Sequence, residues 1–214
     1  VRPILVIWLV VASARSAIAD WHDVPTGSMK PSIVEGDRIV VNKLAYDVRV
    51  PFLGRGVARN AGPARGDVVV LRSPADGTRL VKRVVGLPGD RIELIGNRLI
   101  VNGTPAAYEE LDRGIVEQVG PADRERHQFA AERVGGNAHP VMVDPARGGW
   151  DFGPITIPAD HYVVMGDNRD NSADSRAFGF VSRQQIEGRV VGVAASFDTA
   201  SFRPRWQRFF RKMV

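Results

Sequence analysis

The chain of 214 residues contains no cysteine. Disulfide frameworks, thiolate-ligated zinc and cysteine nucleophiles are therefore excluded. Lysine is scarce, with Lys30, Lys43, Lys82 and Lys212 the only four among 29 cationic side chains. In so arginine-rich a chain, a lysine in apolar surroundings needs a chemical reason. The four histidines, His22, His127, His139 and His161, stand without metal-ligand spacing,. No HExxH, P-loop, GxGxxG or GxSxG motif is present, which sets aside the chemistries those motifs carry,. The run from Asp167 to Asp174 offers oxygens for calcium but has Ser172 where an EF-hand loop needs glycine,. No metal is expected.

Excess charge is also missing from most of the chain. The net charge is +5, and residues 201–214 contribute five cations and no acid, so the remainder is formally neutral. A neutral body with a basic end does not point to nucleic acid. Long apolar runs are confined to the N-terminus. Pro3 to Ala14 reads PILVIWLVVASA, and extension through Arg15 to Ala19 approaches the length that spans a bilayer,. A membrane anchor (residues 1–20), a secretory signal cut after Ala17-Ile18-Ala19, and a buried core helix are all open readings, with the anchor preferred. In the tail 201–214, Trp206, Phe209, Phe210 and Met213 fall at i, i+3, i+4 and i+7 among arginines. That spacing predicts an amphipathic interfacial helix on anionic lipid, or a terminal segment docked on the body.

The body is rich in turn residues, with 22 glycines and 14 prolines in the whole chain. Short Val/Ile runs such as Val68 to Leu71, Leu80 to Val85, Tyr162 to Met165 and Val190 to Ala195 are bounded by Gly-Asp, Pro-Gly or Ser-Pro. They read as strands joined by turns. Arg91 to Ile95 and Arg98 to Val101 form a hairpin across Gly96-Asn97,. The core thus occupies residues 21–103 and 155–200. Residues 104–154, rich in acids, Arg, Gly and Pro, read as an inserted loop-rich subdomain.

One nucleophile remains worth pursuing. Ser28 lies in Pro25-Thr26-Gly27-Ser28-Met29 just past the apolar segment, where Gly27 allows close approach to the backbone. A serine hydroxyl needs a base, and lysine serves only when desolvation lowers its pKa. Lys82, in Leu80-Val81-Lys82-Arg83-Val84-Val85, has a run that can supply such surroundings, although a strand lysine turned to solvent is the commoner outcome. Lys30 is nearer in sequence but is flanked by Pro31 and lacks an apolar shell.

Four segments in order resemble type I signal peptidases: PTGSMKPSI with EGDRIVVNKLAY, RGDVVVLRSP, VKRVVGLPGD, and MGDNRDNSADSRAFGFV. They cover about a quarter of the chain, and the last is long and specific,. Together with the strand pattern, the resemblance implies a mainly β fold. An antiparallel sheet or partly open barrel would form the catalytic core, with the insertion and an N-terminal transmembrane helix. It further implies a serine endopeptidase without cofactor, acting on exported preproteins after a small residue at the outer face of the cytoplasmic membrane. By position, Ser28 matches the nucleophile and Lys82 the general base. Thr26 stands where the family commonly has a serine completing the oxyanion hole with the Ser28 N–H. Ser172 matches the serine that orients the lysine, Asp174 and Arg176 a supporting ion pair, and Met29 a position lining the substrate pocket.

Members of that family often carry further N-terminal spans, whereas this sequence offers at most one. The rivals are a specialised relative maturing a single conjugative or pilus protein, a self-cleaving Ser/Lys repressor, and a non-catalytic exported β-protein. The repressor is disfavoured by the apolar N-terminus in place of a DNA-binding helix-turn-helix.

Overall fold

The computed structural model describes residues 19–49 and 56–213. The apolar run from Pro3 lies outside them up to Ile18, and Ala19 and Asp20, assigned to the anchor by sequence, already form strand. Among the described residues no helix is long and apolar enough to cross a membrane.

From β1 (Ala19–Asp23) the chain crosses the serine-bearing turn to β2 (Asp37–Asn42), then makes the small hairpin of β3 (Asp47–Arg49) and β4 (Gly56–Arg59). A longer hairpin follows, β5 (Val68–Arg72) with β6 (Arg79–Gly86). Next come β7 (Arg91–Ile95), β8 (Arg98–Val101) and β9 (Thr104–Pro105), with the expected turn at Gly96-Asn97. The insertion contributes β10 (Ala107–Glu109), the one-turn helix α1 (Arg113–Val116), α2 (Pro121–Arg126), β11 (Gln128–Val134) and β12 (Asn137–Val143). The chain returns through β13 (Phe152–Thr156), β14 (His161–Met165), the short α3 (Ser175–Phe178), β15 (Val181–Ser182), the long β16 (Ile186–Ser196) and β17 (Arg211–Lys212).

The main sheet runs β1-β2-β16-β5-β6-β14-β15, with β17 added to β16. Its pairs are antiparallel, and bulges along β16 and between β14 and β6 let it curl into an open half-barrel,. Val68 to Leu71 of β5 are all buried because the strand has core on both faces. Val68 and Val70 join Met29, Ile33, Ile39 and Val41 on one side, and Val69 and Leu71 join Val84, Tyr162 and Val164 on the other. That is why β5 reads as an unbroken apolar run instead of an alternating one.

Residues 104–154 carry more strand than their composition suggests. β10, β11 and β12 form their own sheet, and β13 pairs back onto β7. The insertion is stitched to the core by polar groups. Met142 N–H donates to the Asp167 carbonyl at 2.9 Å, and Arg169 N–H donates to the Met142 carbonyl at 3.0 Å. Glu132 on β11, wholly buried, accepts from Arg169 Nη2 and from the Tyr108 hydroxyl, each at 2.6 Å.

The expected amphipathic helix in the tail is absent. Residues 206–208 make a single 3-10 turn, Phe210 takes a positive φ of 55°, and Arg211–Lys212 pair with Gly192 and Val193 of β16. β5 pairs with β16 only as far as Arg189, so the strand has an edge left to cover, and β17 covers part of it,. The docked alternative describes the tail, whose Arg208 is buried against Asp37.

Candidate active site

Ser28 sits in the turn between β1 and β2, and Lys82 on β6, 54 residues away in sequence. Lys82 lies one residue past the last β14–β6 pair, Met165 with Arg83. The chain leaving β14 then runs beside the serine turn. Asn168 N–H donates to the Ser28 carbonyl at 3.1 Å, and Asn168 Nδ2 donates to the Gly27 carbonyl at 3.2 Å. Close approach here requires Gly166, since a Cβ at that position would collide with Ser172 and with the Ser28 carbonyl.

The Lys82 ammonium donates to Ser28 Oγ at 2.8 Å. Lys82 is 2% exposed, and burial lowers its pKa from 10.5 to about 8. The charges of Asp174 and Asp167 pull that value back up and Arg176 pushes it down, so burial is the dominant cause,. Lys30 behaves oppositely. Burial works to lower its pKa, but hydrogen bonds to Asp123 and Glu35 overcome that and hold it above the ordinary lysine range. Of the two lysines near Ser28, one is primed to lose its proton and the other is locked as a cation.

The remaining residues named by sequence surround this pair in different ways. Asp174, 0% exposed, holds Arg176 in a two-pronged pair, with Nε to Oδ1 and Nη2 to Oδ2 both at 2.8 Å. Asp174 Oδ2 also accepts from Gly166 N–H at 2.9 Å, so the pair braces the strand exit that flanks Ser28. Arg176 stacks over the Trp150 ring at 5.4 Å,. Ser172, matched to the serine that orients the lysine, donates its hydroxyl to Asp174 Oδ2 at 2.7 Å. Thr26 is exposed two residues before Ser28. Met29, expected at the substrate pocket, is 1% exposed and packs in the core cluster with Val24, Ile33 and Ile39.

Residues 1–195 match the family described as signal peptidase, peptidase S26. The chain belongs to that family. Signal peptidase I of Pseudomonas fluorescens is 38% identical over 208 residues, spanning 91% of this chain and 70% of its own length. The signal peptidase I of Pseudomonas aeruginosa is 40% identical over 210 residues with the same coverage of both chains. Signal peptidase I P of Bacillus subtilis subsp. natto is 33% identical over 189 residues, 88% of this chain and 83% of its own.

In this S26 peptidase the sequence reading missed a second buried layer beneath the pair. Arg83, next to Lys82, donates to Asp167 from Nε at 2.9 Å and from Nη2 at 2.8 Å, and to Ser32 Oγ at 3.1 Å. Arg83 and Asp167 are each 1% exposed. Asn168 was likewise not singled out. Each of these residues lay inside a quoted family segment, which was the only signal, because burial of an Arg–Asp pair leaves no mark on hydropathy. The acids of the run 167–174 are committed to protein partners: Asp167 to Arg83, Asp170 to the Asp144 N–H at 2.7 Å, and Asp174 to Arg176.

Proposed function

We propose that this chain is a signal peptidase I, a Ser/Lys endopeptidase that removes signal peptides from exported preproteins. The observation that carries the reading is the 2.8 Å contact between Lys82 Nζ and Ser28 Oγ in a buried site. With a pKa of about 8, about a tenth of the Lys82 side chains are neutral at pH 7,. A neutral amine reverses the contact and accepts the Ser28 proton as Oγ attacks the carbonyl carbon of the scissile bond. The Ser28 N–H and the Thr26 hydroxyl hold the developing oxyanion. Lys82 returns the proton to the leaving amine, and water, deprotonated by the same lysine, hydrolyses the acyl ester.

Asp174 and Arg176 act through the Gly166 strand exit and do not touch the reacting atoms. Ser172 acts through Asp174, and Met29 gives the turn its apolar footing. Small side chains before the cut are the family's preference carried to this chain.

The same reading places the catalytic body at the outer face of the cytoplasmic membrane, with the apolar run that ends before β1 as an anchor. Support comes from the apolar run that leads into β1 and from aromatic rings on the surface of the tail. Phe202, Trp206 and Phe210 are 79%, 71% and 83% exposed among Arg203, Arg205, Arg211 and Lys212. Exposed rings beside cations suit the interface of an anionic leaflet. The test is cleavage of a model preprotein in detergent by the purified chain, with Ser28→Ala and Lys82→Ala alongside. Both variants are expected to lose cleavage, and full activity in either sinks the mechanism.

A further inference from the structure

Lys30, two residues past the proposed nucleophile, is held from two sides. Its ammonium lies 2.8 Å from Glu35 Oε2, on the same turn, and 2.8 Å from Asp123 Oδ2, on α2 of the insertion. The stem of the side chain crosses Gly27. A Cβ on Gly27 would meet Glu35 Oε1 at 2.6 Å and the Lys30 Cε and Cδ at 3.0 and 3.2 Å. The side of Gly27 that the sequence reading left open for substrate is therefore roofed by the chain itself. The carbonyl of the Gly27–Ser28 peptide accepts from Lys30 N–H and from Asn168 Nδ2, each at 3.2 Å. The other end of that peptide plane is the Ser28 N–H, the proposed oxyanion donor. A tilt of the plane moves both ends together.

The insertion is tied to the core elsewhere, through Met142, Asp144 and Glu132, but α2 itself has little besides its charges to hold it. α2 buries none of its six residues, so no apolar face docks it. Its acids and bases do the docking, with Arg126 Nε donating to Asp144 within the insertion at 2.6 Å and Asp123 reaching across to Lys30. The geometry points to Lys30 as a positioning residue through which Asp123 fixes the Gly27–Ser28 peptide, so that the insertion sets the turnover of the Ser28 site. Lys30 fits that task because its partners keep it charged, whereas Lys82 has no carboxylate within hydrogen-bonding reach and can shed its proton. The inference rests on the peptidase reading for its effect on turnover, but its structural half is independent of that reading.

The experiment uses the full chain in detergent and compares wild type with Asp123→Asn, Lys30→Met and Lys30→Arg. Amide hydrogen exchange across residues 27–30 and steady-state cleavage of a model preprotein are both measured. Asp123→Asn and Lys30→Met should each speed exchange in that turn by roughly tenfold, since the local opening loses a closing contact. They should lower kcat by roughly tenfold with KM moving by less than about twofold, because a displaced donor acts on the transition state. The double variant should be no worse than Lys30→Met alone, and Lys30→Arg should retain the wild-type exchange rate. Wild-type exchange in Asp123→Asn overturns the proposal. So does unchanged kcat in Asp123→Asn when the wild type cleaves. A wild type that cuts no preprotein refutes the peptidase reading, and the exchange comparison still decides the role of Lys30.

Discussion

Two lysines lie near Ser28, and their surroundings divide the labour. Lys82 is buried and has no carboxylate in hydrogen-bonding contact, so its charged form is disfavoured. Lys30 has two carboxylates at 2.8 Å and keeps its proton. Asn168 completes the picture at this scale, because its side-chain amide and backbone N–H hold two successive carbonyls of the serine turn. Truncating Asn168 to alanine removes one of the two donors to the Gly27 carbonyl, and the opposite end of that peptide is the proposed oxyanion donor. We expect Asn168→Ala to lower kcat by about 10²-fold with KM nearly constant, the size of effect seen when an oxyanion donor is lost. Steady-state cleavage of a preprotein checks it, and a change confined to KM contradicts it. Ser28 was legible as a candidate through its turn, and Lys82 only through the family segments, since a lysine in a Val-rich strand more often points to solvent. Lys30 with Asp123 was not legible, because a pair 93 residues apart has no local pattern.

The β pattern of the body was readable wherever a strand buried one clear face or both, as in β2 and β5. The tail was misread because a spacing of three and four residues fits a helix but does not require one. Here Trp206 to Arg208 make a single turn, after which the chain joins the edge of β16. The decisive contact is Arg208, 1% exposed, which donates to Asp37 from Nε at 3.0 Å and from Nη2 at 2.6 Å, and to the Ser32 carbonyl at 3.0 Å. An arginine in a basic tail carries no sign in sequence that it will be buried. Arg208→Ala leaves the Asp37 carboxylate buried without its cation, a loss of about 3–5 kcal/mol. Urea unfolding should show that loss, while replacing both partners by apolar residues should restore much of it. A loss below about 1 kcal/mol in Arg208→Ala would show that the pair is not what holds the tail.

For the whole molecule, charge and aromatics are distributed unevenly. The body is formally neutral, whereas the tail carries five cations together with the exposed Phe202, Trp206 and Phe210. Because the tail is docked as a turn and a strand, its rings stand out from the body at fixed positions. In the reading proposed above, that surface rests on anionic lipid. With the full chain reconstituted in vesicles, tryptophan quenching by brominated acyl chains should be greater for anionic than for zwitterionic lipid. Trp206→Phe should remove part of that quenching. Equal quenching in both lipids, unaffected by Trp206→Phe, contradicts the contact.

In the proposed mechanism Ser28 attacks with its proton taken by a neutral, buried Lys82. A folded-state pKa lowered to about 8 means that the competent form grows as pH rises through that value and is lost below it. The measurement is kcat/KM for cleavage of a model preprotein from about pH 6 to pH 9.5, on wild type, Lys82→Met and Lys82→Arg. Wild type should fall about tenfold per pH unit on the acid side, with its inflection near 8, and both variants should be inactive across the range. Lys82→Met with wild-type activity, or a wild-type profile flat from pH 6 to pH 9.5, would contradict it.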